Sequence, residues 1–266
     1  MCIRLVLGKM GRTISAGEGK LKIISIVGSP HGAKGSTARL TRLVLDGAER
    51  EGASTQTIYL PGDTVLPCLG CDYCHKKGGY VQKDSFEEIQ QKVLEADGMV
   101  LGSPNYIFSV SAQMKAFIDR CASMIHCIGF HGKYGASVVT SGGGDEEPIA
   151  DYMNHFMMIT GIQSVGSVWA TMGLIFGDEF PEDIKTRALD LGKRLVTAWK
   201  NKEVFPEIQE KMAAFKERMR QLMEYRKEEW PYEYKYWKRV ILWSGIGQFS
   251  SAQKPWRGRA TGACRD

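Results

Sequence analysis

The stretch "LKIISIVGS" (21–29) is a nearly continuous apolar, β-branched run that ends in glycine and serine. That is the pattern of a strand covered on both faces inside a parallel sheet. Runs of related character recur at "TQTIYL" (55–60), "GMVLGSP" (98–104), "KYGASVVTSGGG" (133–144) and "SVGSVWA" (164–170). Helical periodicity fills the intervals. Leu40, Leu43, Val44 and Ala48 form one stripe. Phe86, Ile89, Val93 and Leu94 form another over 84–97, behind a capping signature of Asp84 and Glu87. Met114, Phe117, Ile118 and Cys121 face inward on a helix over 111–125, and further helices are expected near 147–160 and 181–201. Alternating strands and helices predict an α/β fold: a doubly wound, five-stranded parallel sheet in three layers.

From about residue 202 the pattern changes. The chain divides into an N-terminal extension (1–20), the α/β domain (21–201) and a C-terminal extension (202–266). The extension carries a long charged helix, an aromatic basic arm at 230–243 and a Gly/Ser-rich tail. In the arm Trp230, Tyr232, Tyr234 and Tyr236 alternate and Trp237 follows, so an extended arm would show one aromatic face. Such a face predicts an interface in a homodimer or homotetramer; an intramolecular strap over the chain's own core is the alternative. A net charge of +5 over 266 residues is too small and dispersed to argue for nucleic acid. No apolar run reaches the ~18 residues of a membrane span, and seven cysteines, an odd number, fit the reduced cytoplasm better than a disulfide framework.

In an open parallel sheet, ligands sit beyond the carboxyl ends of the strands, where strand order reverses. Three loops leaving such ends are unusual here. "GSPHGAKGST" (28–37) offers Ser29, Ser36 and Thr37 hydroxyls, Lys34, glycines and a helix N-terminus, a donor set for one phosphate. It is neither a P-loop nor a dinucleotide fingerprint, because the glycine spacing is wrong for both. In "SPNYIFSVSAQMKAFIDR" (103–120), Asn105 can hydrogen-bond a planar heterocycle, while Tyr106, Ile107 and Phe108 offer flat apolar surface. The glycines of "TSGGGDEE" (140–147) let backbone N–H groups approach a ligand closely.

These three blocks resemble those of the flavodoxin-like NADPH-dependent FMN reductases, within them the branch of iron–sulfur flavoproteins, over roughly residues 21–200. The resemblance implies FMN, its phosphate held by Ser29, Ser36 and Thr37 with His31, Lys34 and Gly35 in the same loop. It places the isoalloxazine against Pro104, Asn105, Tyr106, Ile107 and Phe108, with Ser141, Gly142, Gly143 and Gly144 closing over it. One departure is His31, where many relatives carry arginine; phosphate binding then leans on Lys34 and backbone donors.

The segment "CLGCDYCHKKGGYVQKD" (68–84) sets Cys68, Cys71 and Cys74 three positions apart, the start of an iron–sulfur ligand run that normally takes four thiolates. The branch typically places its fourth cysteine just before a "V-x-K-D" stretch. Here "VQKD" (81–84) is preceded by Tyr80. His75 follows Cys74 directly, so one tetrahedral metal could hardly use both without strain, and Cys121 belongs to an apolar helix face. A cluster completed by a non-cysteine ligand or another subunit, a zinc site, and a vestigial thiol loop remain open, and the vestigial loop is the expectation adopted.

The expected activity is that of a cytoplasmic FMN-dependent oxidoreductase in which NAD(P)H reduces the flavin. The flavin then reduces an acceptor such as free flavin, a quinone or a protein. No side-chain acid or base is demanded, because the cofactor carries the chemistry. The rivals are an iron–sulfur electron carrier and a non-enzymatic thiol/flavin redox sensor.

Overall fold

The computed structural model describes residues 20–61, 64–177 and 179–240. The expectations for residues 1–19, for the tail and for the last residues of the aromatic arm (241–266) lie outside them. The order of elements is β1 (Lys22–Val27), α1 (Ser36–Arg50), β2 (Ser54–Tyr59), α2 (Tyr73–Lys77), α3 (Phe86–Glu95), β3 (Gly98–Pro104), α4 (Ala112–Arg120) and α5 (Ala122–His126). Then come β4 (Tyr134–Ser141), α6 (Glu146–Ile159), β5 (Gln163–Thr171), α7 (Glu182–Asn201), α8 (Pro206–Tyr225) and α9 (Pro231–Val240).

The five strands form one parallel sheet in the order β2-β1-β3-β4-β5. The continuous apolar runs are the central strands: every residue of β3 and β4 is buried, whereas the edge strands β2 and β5 are largely half-buried. The chain winds outward from β1 to β2 and then returns to β3, so the carboxyl ends of β1 and β3 flank the switch point where ligands of this fold class sit. One face of the sheet is covered by α1 and α7, through Leu40, Val44, Leu195 and Val196. These two helices approach backbone to backbone: a Cβ on Gly47 would lie 2.1 Å from the Leu189 carbonyl oxygen, and one on Gly192 1.9 Å from that of Val44. The other face is filled by Phe86, Met114, Phe117, Met153 and Phe156, and α8 and α9 add Met212, Phe215, Met219, Met223, Tyr236 and Trp237 to the same core. Among the described residues no helix is long and apolar enough to cross a membrane.

Three sequence expectations are corrected. The helix expected over 111–125 is two helices, because the Cys121 N–H bonds back only three residues, to the Ile118 carbonyl (3.0 Å), and the axis breaks there. Asp84 is not the N-cap of α3, which is Ser85; its carboxylate accepts the Phe86 N–H at the helix start (3.2 Å) but is shared with a buried pair to Arg120. From Pro231 to Val240 the aromatic arm is helical. Pro231 opens α9, and Glu233, Tyr236 and Trp237 share its inward face at i, i+3 and i+4. The aromatic face predicted for an oligomer interface is thus turned onto the chain's own core, as in the strap alternative.

Candidate functional site

The turn after β1 is built from its glycines and Ser29. Ser29 is buried, and its Oγ accepts the His31 N–H (3.3 Å). Gly35 packs against that hydroxyl, where an added Cβ would lie 2.9 Å from Oγ. Gly35 is the N-cap of α1 and no side chain caps the helix, so its first N–H groups, which have no intrahelical partner, face the loop. His31 and Lys34 are exposed and Ser36 is half-buried. Thr37 is turned inward, its hydroxyl 2.6 Å from that of Thr140 on β4. The loop thus brings together Ser29, Lys34, Gly35 and Ser36 around an uncapped helix start, and Thr37 joins them with its backbone N–H rather than its side chain.

Beyond β3, Asn105 extends the sheet by donating its N–H to the Thr140 carbonyl (2.7 Å). Its side-chain amide donates to the Gly144 carbonyl (2.9 Å), which ties the second loop to the third. Its Oδ1 is buried and has no partner. Tyr106 and Ser109 then exchange backbone hydrogen bonds (2.9 and 3.2 Å) across a tight turn. Ile107 and Phe108 occupy its centre at φ of +49° and +59°, a left-handed conformation in which a bulky side chain is strained. Both are held out to solvent, 90% and 75% exposed. Backbone strain of this kind, held at two exposed apolar residues beside the switch point, is found more often at ligand sites than at purely structural turns.

In the third loop Gly142, Gly143 and Gly144 have nothing within 4 Å of the position where a Cβ would stand. Ser141 is buried, accepts the Gly144 N–H (2.8 Å) and donates to Glu146, which Thr171 also supports. Burial opposes ionisation of Glu146, and the two hydroxyl donors outweigh it, holding the carboxyl below its ordinary range. Glu146 thus fixes the loop from below. Sequence reading missed it, although its position directly after the glycine run was visible.

The cysteine segment leaves the carboxyl end of β2, on the same sheet edge. Its base is clamped by Asp84 and Arg120, which pair at 2.5 Å with both side chains 97% shielded from solvent. Asp84 also accepts the Leu66 N–H (2.8 Å), Arg120 donates to the Leu66 carbonyl (3.1 Å), and Gln82 donates to that of Pro67 (3.0 Å). Burial opposes the Asp84 charge, and the guanidinium and two backbone donors overcome this and hold its carboxyl low. Above the clamp Cys68 and Cys71 are exposed and Cys74 is half-buried at the start of α2. Tyr80 points elsewhere: its hydroxyl accepts from Gln90 Nε2 (2.6 Å), its ring meets Phe86 edge-on at 4.8 Å, and Arg120 lies over its face. Burial pushes the Tyr80 hydroxyl well above its usual value, so it stays protonated. Cys121 and Cys127 are fully buried and burial raises both thiols, as expected of core residues.

His75, the residue after Cys74, is also engaged. Its Nδ1 lies 2.7 Å from Oε1 of Glu233 on α9, and Nδ1 of His126 on α5 lies 2.9 Å from Oε2 of the same carboxylate. Burial alone would lower His75; its hydrogen bonds with Cys74 and Glu233 outweigh that and push it up to about 10. No local sequence signal could have found this group, whose members stand 107 and 158 residues apart.

Residues 21–177 match the family model of NADPH-dependent FMN reductase. An iron–sulfur flavoprotein of Archaeoglobus fulgidus is 35% identical over 68% of this chain and 82% of its own length. Another, of Methanocaldococcus jannaschii, is 36% identical over 52% of this chain and 72% of its own. Among solved structures, a flavone reductase superposes with a TM-score of 0.55 at 18% identity, over 68% of this chain and 64% of its own. An oxidoreductase from Corynebacterium diphtheriae gives 0.51 at 19%, over 70% and 99%. These structures speak for the fold, and the sequence matches for the lineage. Together with the three loops at the switch point, they place the chain in the NADPH-dependent FMN reductase family, in its iron–sulfur flavoprotein branch.

Proposed function

We propose that the three-loop edge holds FMN, one per chain, and that the protein oxidises NAD(P)H and delivers the electrons to a second acceptor, a flavin, a quinone or a protein, in the reducing cytoplasm. The observation that carries this reading is the buried, partnerless Oδ1 of Asn105. An unsatisfied buried acceptor costs roughly 1–3 kcal/mol, and the edge of a flavin ring offers the N–H donor that would satisfy it. Bound FMN supplies the hydride chemistry.

The chain's own residues bind, orient and shield. Lys34, Ser36 and the first N–H groups of α1 take the phosphate, which the positive end of the helix favours. Pro104 and Asn105 fix the ring edge, the Asn105–Gly144 bond keeps the second and third loops in register, and the open glycines at 142–144 let backbone N–H groups come close. Ile107 and Phe108 give apolar surface against which a nicotinamide or acceptor can exclude water. With the α9 face covered, association as a homodimer or homotetramer would have to use other apolar side chains, such as exposed Leu174 and Phe176.

A four-ligand cluster does not fit the cysteine segment as folded. Three thiols are available, but Tyr80 is protonated and bonded to Gln90, and His75 is bonded to Glu233. The electron-carrier reading is the second one, favoured by the three clustered thiols and by the relatives' names.

Binding measurements test the main reading. Asn105→Ala should weaken FMN and riboflavin alike, by tenfold or more (about 1.4 kcal/mol). Lys34→Ala with Ser36→Ala should weaken FMN by a similar factor and leave riboflavin nearly unaffected. FMN binding indifferent to both sets would refute the placement.

A further inference from the structure

The cluster of His75, His126 and Glu233 takes no part in the flavin reading. Its three side chains come from α2, α5 and α9 and have their candidate ligand atoms within 4.8 Å of one another. Glu233 is completely buried, with one imidazole Nδ1 on each carboxylate oxygen, at 2.7 and 2.9 Å. The two rings lie nearly parallel, centroids 4.8 Å apart at 27°, so both Nδ1 atoms converge on the carboxylate from one side. Trp230 covers the pair, 4.7 Å from the His75 ring and 5.0 Å from the His126 ring. Trp237 Nε1 donates to the His126 carbonyl (2.9 Å) and fixes that ligand's backbone.

From this geometry we propose that His75, His126 and Glu233 form a metal site for a divalent cation of the zinc class, separate from the cysteine segment's own ligand run. Two imidazoles and a carboxylate are an established three-ligand set for Zn²⁺, with bond lengths of about 2.0–2.2 Å. Ligands at that radius stand about 3.3 Å apart in a tetrahedron, so the 2.7 and 2.9 Å imidazole–carboxylate separations need to open by a few tenths of an ångström, while the group as a whole, gathered within 4.8 Å, draws in around the ion. The cation takes the place of the protons shared between the rings and the carboxylate. A buried carboxylate in an aromatic shell suits a divalent ion, whose charge is repaid there by ligand charge and excluded water. The fourth position falls to a water, since Cys74 directly precedes His75 and one tetrahedral metal could hardly use both. The role is structural: the ion would bolt α9 to the helix that opens at the cysteine segment. An ion pair with two hydrogen bonds and no metal is the rival.

The test uses the full chain carrying Cys68→Ser and Cys71→Ser, two exposed positions, so that the cysteine segment cannot hold a metal by itself. After treatment with a chelator the protein is titrated with Co²⁺, then with Zn²⁺. The expected result is one Co²⁺ per chain with the intense visible absorption of tetrahedral cobalt, displaced by Zn²⁺. Near-ultraviolet thiolate-to-cobalt absorption should be absent, with water in the fourth position, and its appearance would move the metal to the thiols and overturn the assignment. Glu233→Gln and His126→Gln on the same background should weaken binding at least tenfold, with retained FMN and circular dichroism reporting that they fold. No stoichiometric Co²⁺ or Zn²⁺ in the parent chain overturns the proposal, whatever the variants do. So does binding that folded Glu233→Gln and His126→Gln proteins keep unchanged.

Discussion

Asp84 shows how one residue can read locally as one thing and act as another. Three positions before Glu87 it looks like a helix cap, yet its carboxylate closes a buried pair with Arg120 and carries the backbone of Leu66. Removing one partner of a buried pair strands the other's charge, at a cost of about 3–5 kcal/mol. Asp84→Asn should therefore lower stability by that order at neutral pH. The carboxyl is held below its ordinary value, so its contribution is complete above about pH 4, the unfolded value, and fades as pH falls through the folded value. Urea titrations at neutral and acid pH should accordingly show the gap between wild type and variant closing in acid. A gap that persists there would mean the pair is not its source. At Tyr80 the replacement of a ligand can be tested in the same spirit. Its side chain is tied to Gln90 and Phe86, so wild type purified in air should hold little iron or sulfide. Tyr80→Cys, reconstituted anaerobically, should hold markedly more. Four irons per chain surviving in air in wild type would defeat the three-thiol account and advance the electron-carrier reading.

Among elements, the turn between β3 and α4 is the clearest case of local backbone strain beside the proposed site. Ile107 and Phe108 adopt left-handed backbone conformations that glycine would adopt freely, at a cost on the order of 1–3 kcal/mol each. Ile107→Gly should relieve part of this and raise the melting temperature of the flavin-free protein by a few degrees, while weakening FMN. Calorimetry beside a flavin titration checks both signs, and a drop in both quantities would show that the turn is structural. Most elements were legible in the sequence because burial imposes a period: continuous apolar runs became β1, β3 and β4, and stripes at three and four became α1, α3 and α4. Legibility failed where two periods compete. Trp230, Tyr232, Tyr234 and Tyr236 alternate as a strand would, but Glu233, Tyr236 and Trp237 are the residues buried, and a glutamate at the centre of an apolar face hides the helical period. Only the distant His75 and His126 make that glutamate an inward residue.

For the whole molecule, the same division holds between what is contiguous and what is assembled. The three loops proposed for the flavin were legible because each is a short local run at a strand end, and the sheet order gathers them at one edge. The Asp84–Arg120 clamp and the His75–Glu233–His126 group join residues 36 to 158 positions apart, and no window on the sequence contains them. Their placement gives the C-terminal extension a role in the fold. Trp237 and Tyr236 are 2% and 9% exposed within the core shared with α3, α4 and α6. Tyr232 lies against Gly78, where any side chain would strike its ring. Burying two large aromatic side chains contributes about 3–6 kcal/mol, a large part of the stability of an ordinary domain. Ending the chain after residue 228 should therefore not release a smaller soluble assembly, as an intermolecular arm would. It should lower the melting temperature by roughly 10 °C or more, expose the Met212–Met223 face and promote aggregation. Light scattering with thermal denaturation decides between the two. A truncated chain of unchanged stability and halved mass would return the arm to an interface between subunits.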